Sequence, residues 1–255
     1  MRAHIVLAHP ESRSLNGRLA RMSEAALTER GWATTLSDLY AMGFDPCDRP
    51  EHYASRADPN AFRVETEQRF HAEQGTTPGD VAAEVETLSQ SDLLIVHFPL
   101  WWFGMPAILK GWMDRVFLYG AVYRSTMRHD TGFFRGKKAM ACVTTGASAD
   151  ACSHSGSEGD TRMHLWPVLY SLRYVGFDVL QPEILHGIGS AIYREDGAGR
   201  LRAMEALTAR WRATLETLEM RPLIPYNRDS DFAPTGRLRP DAPEFSPFIS
   251  HSEKI

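Results

Sequence analysis

Leu93-Leu94-Ile95-Val96, an unbroken apolar run closed by Pro99, constrains the fold of this chain more than any other stretch. It is far shorter than the roughly 18 residues a membrane span needs, and its branched side chains suit a strand buried on both faces. Strands of that kind belong to parallel sheets covered by helices. Leu100-Trp101-Trp102-Phe103-Gly104 follows where such a strand hands over to its helix, and Pro106 is placed as that helix's first residue. Ligands of open α/β sheets bind there, outside the carboxyl ends of the strands. One aromatic residue at this point fits a core equally well. Three beside Gly104 fit a flat, apolar, stacking ligand.

The remaining chain alternates strand and helix patterns. Residues 3–8 read as a first strand, and 9–16 as the loop into a helix with Ser14 as N-cap. Leu15, Leu19, Met22, Ala26 and Leu27 then recur at helical spacing until Gly31 stops them. Trp32 to Leu36 is a second strand. Residues 38–79 lose periodicity, although Tyr40, Phe44, Tyr53, Phe62 and Phe70 argue that this long loop is packed. Further helices are expected from Pro78 to Gln90, Pro106 to Phe117, Asp160 to Tyr174 and Arg200 to Glu219, with strands at Lys137–Thr145 and Phe177–Leu180. Five strands with helices between them predict a doubly wound α/β fold with a parallel sheet of order 2-1-3-4-5. Residues 1–220 are expected to form one domain. Residues 221–255 read as an irregular, proline-punctuated tail packed on the domain or on a partner subunit.

Bulk properties narrow the partners. A hydrophobic fraction of 43%, a charged fraction of 24% and a net charge of -4 are those of an ordinary soluble globule, with no reason to expect nucleic acid or an anionic membrane. Cys47, Cys142 and Cys152 are odd in number and lack CxxC spacing, so neither a disulfide framework nor a zinc site is implied, and a cytoplasmic location fits. Ile5 to Ala8 is too short for the apolar part of a signal peptide.

Three irregular loops should converge on one edge of the sheet. The first carries Ser12, Ser14 and Asn16 at a helix N-terminus, which favours phosphate. It has neither the GxGxxG of a nicotinamide-binding unit nor the GxxxxGK(S/T) of a P-loop. The second carries the aromatics. The third, Thr144-Thr145-Gly146, offers hydroxyl and backbone donors to a ring's polar edge. Phosphate on one loop and a flat heterocycle across two others describe a flavin.

The stretches LYAMGFDP, FPLWWFGMPAILKGWMDRVF, FRGKKAM, TTG, GD followed by LWP, and GF-VL-P resemble, in order and spacing, the flavin-dependent NAD(P)H:quinone oxidoreductases of the DT-diaphorase type. The resemblance implies a flavodoxin-like homodimer with an active site at each subunit interface. It implies FAD, with FMN as the alternative, NAD(P)H as co-substrate, and two-electron ping-pong transfer to a quinone. The same fold could serve azo or nitro compounds, a biosynthetic quinone, or a flavin redox sensor without turnover. By the resemblance His9, Ser14, Leu15, Asn16 and Arg200 would hold the adenine and pyrophosphate end. Pro99, Leu100, Trp102 and Phe103 would line the isoalloxazine, with Thr144, Thr145 and Gly146 at its pyrimidine edge and Tyr123 and Ser125 at the substrate mouth. The family's tyrosine and histidine that stabilise charge on the flavin are replaced by Cys152 and Glu158, and either His154 nearby or Glu158 itself is expected to assume their role. His97 and His164 read as satisfied core or surface histidines.

Overall fold

Every residue of strand β3 (Leu93–Pro99) is buried, because a neighbour lies on each side and helices lie on both faces. In this computed structural model, which describes residues 1–189 and 196–251, Ile95 sits between Ile5 of β1 (Arg2–Leu7) and Met140 of β4 (Lys138–Thr144), all parallel. β2 (Ala33–Asp38) flanks β1, and β5 (Asp178–Val179) flanks β4, which gives the order β2-β1-β3-β4-β5. A sixth strand, β6 (Glu183–Leu185), continues along the same edge of β4. The sequence expectation, one strand at Phe177–Leu180, covers β5 and does not include β6. Pro182, which has no N–H, lies between them, and only three residues past it are extended against β4.

Alternation along the strands sorts side chains to the two faces. Leu94, Val96 and Phe98 pack with α3 (Gly79–Gln90), α4 (Ala107–Val116) and α6 (Trp166–Tyr174), following α5 (Thr161–His164). Leu93, Ile95, Met140 and Cys142 pack with α1 (Leu15–Glu29) and α7 (Gly197–Glu216), where Trp211 is fully buried.

Two expectations need correction. Residues 38–79 contain a helix, α2 (Val64–Gln74), and a short 3-10 turn at Pro50–His52. The buried positions of α2 are Glu67, Gln68 and His71, so no apolar stripe announced it. Arg56 and the Ala57 amide bond the Glu67 carboxylate at 2.8 Å each, and Gln68 reaches the Asp114 carbonyl at 3.1 Å. The expected helix from Asp160 to Tyr174 is two helices that break at Leu165, just before Pro167.

The tail is anchored at residues 222–224. Gln181 N–H donates to the Pro222 carbonyl at 2.9 Å and Ile224 N–H to that of Val179 at 2.8 Å, which covers an exposed sheet edge. Farther on, Phe248 stacks on Trp166 at 5.0 Å. Residues 252–255 lie outside the described residues.

Candidate active site

Parallel pairing brings the ends of β1, β3 and β4 to one edge and ties their loops together. Ala8 N–H donates to the His97 carbonyl at 2.9 Å, and Leu100 N–H to that of Thr144 at 2.8 Å. Buried Asn16 donates from Nδ2 to Thr144 Oγ1 at 2.9 Å, joining the first loop to the third. Ser14 is the N-cap, as expected: its Oγ accepts from Gly17 N–H at 3.1 Å. Replacing Ser14 by alanine should cost about 1 kcal/mol of stability, read from urea unfolding. An unchanged midpoint would show that the cap contributes nothing. His9 Nδ1 accepts from Glu11 N–H at 3.0 Å, so its proton sits on Nε2. Partial burial lowers the His9 pKa despite Glu11 nearby, and its ring lies 5.7 Å from Trp101.

Beyond β3 the aromatic stretch folds back on itself. Trp101 and Gly104 exchange both backbone hydrogen bonds at 3.0 Å, while Trp102 and Phe103 between them have φ of 50° and 61°. Two consecutive left-handed residues define the tight turn that normally takes Asn-Gly. Holding two bulky aromatics there costs on the order of 1–3 kcal/mol each, and such strain clusters at ligand sites. The turn leaves Trp102 96% exposed and Phe103 51% exposed. Behind them is a cavity of about 200 Å³ lined by Leu100, Trp102, Phe103 and Thr145–Ala147 on one side. Cys152, Glu158, Thr161 and His164 complete its wall.

Thr145 is the polar centre of this wall. Its backbone N–H donates to the Leu185 carbonyl at 3.0 Å, and its hydroxyl donates to the Ala147 carbonyl at 3.0 Å. The hydroxyl has one proton, so His186 Nδ1, 2.9 Å away, is the donor to Thr145 Oγ1, and the Cys152 thiol is a further donor at 3.8 Å. Burial lowers the His186 pKa, and Arg210 and Arg162 lower it further. No pattern in the sequence singled out His186, because it follows the short strand β6.

The expected site residues divide into three groups. Pro99, Leu100, Trp102, Phe103, Thr144, Thr145 and Gly146 converge with Ser14, Leu15 and Asn16 at the one sheet edge. Cys152 and Glu158 line the cavity, whereas His154 is exposed and is not part of its wall. His164, read from sequence as a bland histidine, does line it: its ring lies 5.1 Å from that of Phe103, and its Nε2 bonds the Glu158 carbonyl at 2.9 Å. His97 keeps its core reading, bonded through Nε2 to Ser23 Oγ at 3.0 Å. Tyr123 and Ser125 sit elsewhere in the chain. The Tyr123 hydroxyl donates to Glu65 at 3.2 Å, and Ser125 opens on a large groove of about 1490 Å³ walled by residues 232–241 of the tail. Arg200, exposed in the first turn of α7, is not in the cavity wall.

These residues fit a flavin. The cavity offers aromatic faces, a glycine with open space around its Cα, and hydroxyl and backbone donors along one edge. Buried Asn16 Oδ1 has no hydrogen-bond partner beside it. A buried acceptor without a donor is costly, and a ligand donor would satisfy it.

A family model described as a flavodoxin-like fold matches residues 1–215. The chain is 40% identical to NAD(P)H dehydrogenase (quinone) 1 of Cavia porcellus over 74% of this chain and 69% of that one. It is 35% identical to the ribosyldihydronicotinamide dehydrogenase (quinone) of Pongo abelii, covering 87% and 93% respectively. Among solved structures, a Klebsiella pneumoniae protein assigned as a quinone reductase superposes with a TM-score of 0.84 at 33% identity, over 94% of each chain.

Proposed function

Because the chain belongs to the flavodoxin-like family and to the quinone reductases within it, we propose that it is an FAD-dependent NAD(P)H:quinone oxidoreductase working as a cytoplasmic homodimer. The cavity at the shared edge of β1, β3 and β4 carries this reading: aromatic faces at Trp102 and Phe103, and polar groups at Thr145 and Gly146. Bound flavin supplies the two-electron centre that takes hydride from NAD(P)H and passes it to the acceptor. The protein's part is to orient and to exclude water. Leu100 and the aromatic turn give the ring a flat apolar surface, Thr145 and Gly146 face its polar edge, and Ser14 and Asn16 with the α1 N-terminus suit the phosphates.

Hydride transfer to a quinone also takes up one proton to give the hydroquinone. Cys152, Glu158 and His164 are the side chains of the wall that can carry a proton, and the His164 ring packs 5.1 Å from that of Phe103. Its place in the wall supports His164 for the role the sequence suggested for His154 or Glu158. His164→Ala should slow quinone reduction about tenfold or more in stopped-flow measurements, with His154→Ala within about twofold of wild type. Equal rates for the two variants would sink the assignment.

Tyr123 and Ser125 resemble substrate-mouth residues yet lie apart from the cavity within one chain. A second copy could bring them to it, which supports the homodimer. Sedimentation of the loaded protein at twice the monomer mass is the expected result.

Heat release and chromatography of the bound cofactor should yield FAD, and steady-state assays with NADH and NADPH should reduce a panel of quinones. Release of FMN would overturn the choice of FAD. Flavin-loaded protein that oxidises neither nicotinamide with any quinone would overturn the enzymatic reading in favour of a redox sensor.

A further inference from the structure

Two features of the cavity bear on the charge of the molecule it accepts. Among the described residues the wall contains one carboxylate, that of exposed Glu158, and no lysine or arginine. An exposed carboxylate gives the mouth of the cavity a negative potential. Asp160 caps α5 and Arg162 follows it, a pair of opposite sign, and Arg210 is ion-paired with Glu183 at 2.6 Å. The His164 ring is held by its Nε2 bond to the Glu158 backbone carbonyl, not by the Glu158 carboxylate.

We infer that Glu158 is a specificity-determining residue that selects uncharged and cationic acceptors over anionic ones. This deepens the quinone-reducing reading and rests on it. An acceptor bearing a sulfonate or carboxylate must bring its charge towards Glu158, whereas one bearing a quaternary ammonium group meets a carboxylate of opposite sign. At separations near those of the cavity and effective dielectrics between surface and bulk values, one such charge amounts to roughly threefold to tenfold at low salt and fades as ionic strength rises. Mutual position of the reacting atoms is unaffected by this effect. It acts on capture, and so on kcat/KM.

The test uses flavin-loaded protein and a matched pair of naphthoquinones, one neutral and one sulfonated. The ratio of kcat/KM for neutral over sulfonated acceptor should be roughly threefold to tenfold greater in wild type than in Glu158→Gln, and should invert in Glu158→Lys. Taking a ratio cancels any general loss that the substitutions cause. Dissociation constants of both quinones for the oxidised protein without NAD(P)H, followed by quenching of tryptophan fluorescence, should move in the same direction, and salt should erase the difference. A ratio that Glu158→Gln leaves unchanged overturns the inference while the quinone-reducing reading stands. Reduction of neither quinone by wild type overturns both.

Discussion

Gly17→Ala should leave a folded protein that has lost its cofactor. Gly17 lies in the first turn of α1, and a Cβ there would stand 2.1 Å from the Ser12 carbonyl oxygen and 2.9 Å from its carbonyl carbon. Both are backbone atoms, so no side-chain rotation relieves the clash. The helix tolerates alanine well, since alanine is the better helix former by about 1 kcal/mol. What must move is the exposed segment from Glu11 to Arg13, by an ångström or more. That segment is the loop expected to receive the phosphates. Losing one or two hydrogen bonds to a charged phosphate costs about 1.5–3 kcal/mol each, so the flavin dissociation constant should rise on the order of a hundredfold and the purified protein should be largely colourless. Far-ultraviolet dichroism and the urea midpoint of the cofactor-free forms should stay close to each other. A Gly17→Ala protein that retains stoichiometric flavin with wild-type affinity would place the phosphates elsewhere.

Gly17 is also a measure of what the sequence disclosed. Ser12, Ser14 and Asn16 suggested a loop leading into a helix N-terminus, but the need for glycine at position 17 arises from an overlap with Ser12 that only three dimensions reveal. The sheet was the most legible part. Leu93–Val96 and the apolar stretch in β4 are runs that only a two-faced burial explains, and the order of strands followed from short crossovers. α2 escaped because its interior face is polar: Glu67, Gln68 and His71 are buried by hydrogen bonds to Arg56, Ala57, Asp114 and Ser55 rather than by apolar packing. Periodicity reports hydrophobic burial and is blind to burial of this kind.

At the site, types of residue were easier to read than neighbours. Aromatics after β3 and hydroxyls after β4 were visible as chemistry. Their left-handed turn was not, because Trp-Phe is a poor sequence for it and the strain is sustained by the reciprocal bonds of Trp101 and Gly104. Position along the loop at 146–159 also does not report which side chains are neighbours in space. His154 is nearer in sequence to the residues it was expected to replace, yet His164, one helix farther on, turns back to Glu158 and Phe103. His186 reaches Thr145 from the end of β6, a strand too short for its pattern to be read from sequence.

His97 offers the largest pH effect on stability. It lies in the middle of the sheet, fully buried, with its ring edge-on to Trp211 at 5.2 Å. Ser23 Oγ donates to the Leu19 carbonyl at 3.0 Å and accepts from Trp211 Nε1 at 3.0 Å, so His97 Nε2 must be the donor in its 3.0 Å bond to Ser23. The proton is thereby fixed on Nε2, and Nδ1 is left buried with no partner. A second proton would have to go to Nδ1, in an apolar site without an anion. Burial accordingly pushes the His97 pKa down from 6.5 to about 3. Unfolded chains bind that proton below about pH 6.5 and the folded chain does not, so the unfolded state gains protons as pH falls. Stability from this residue is complete above the unfolded value and is lost at up to about 1.4 kcal/mol per pH unit on descending from 6.5 towards 3. Between pH 7 and pH 5 the loss should be about 2 kcal/mol, in a range where most carboxylates are still ionised. His97→Gln removes the titration and should flatten that slope, even though it lowers stability at pH 7 by disturbing the bond to Ser23. Urea unfolding of the two proteins at pH 7, 6 and 5 reads the difference directly. Parallel pH profiles would mean that His97 accepts its second proton in the folded state, and that water or a rearranged Ser23 reaches Nδ1.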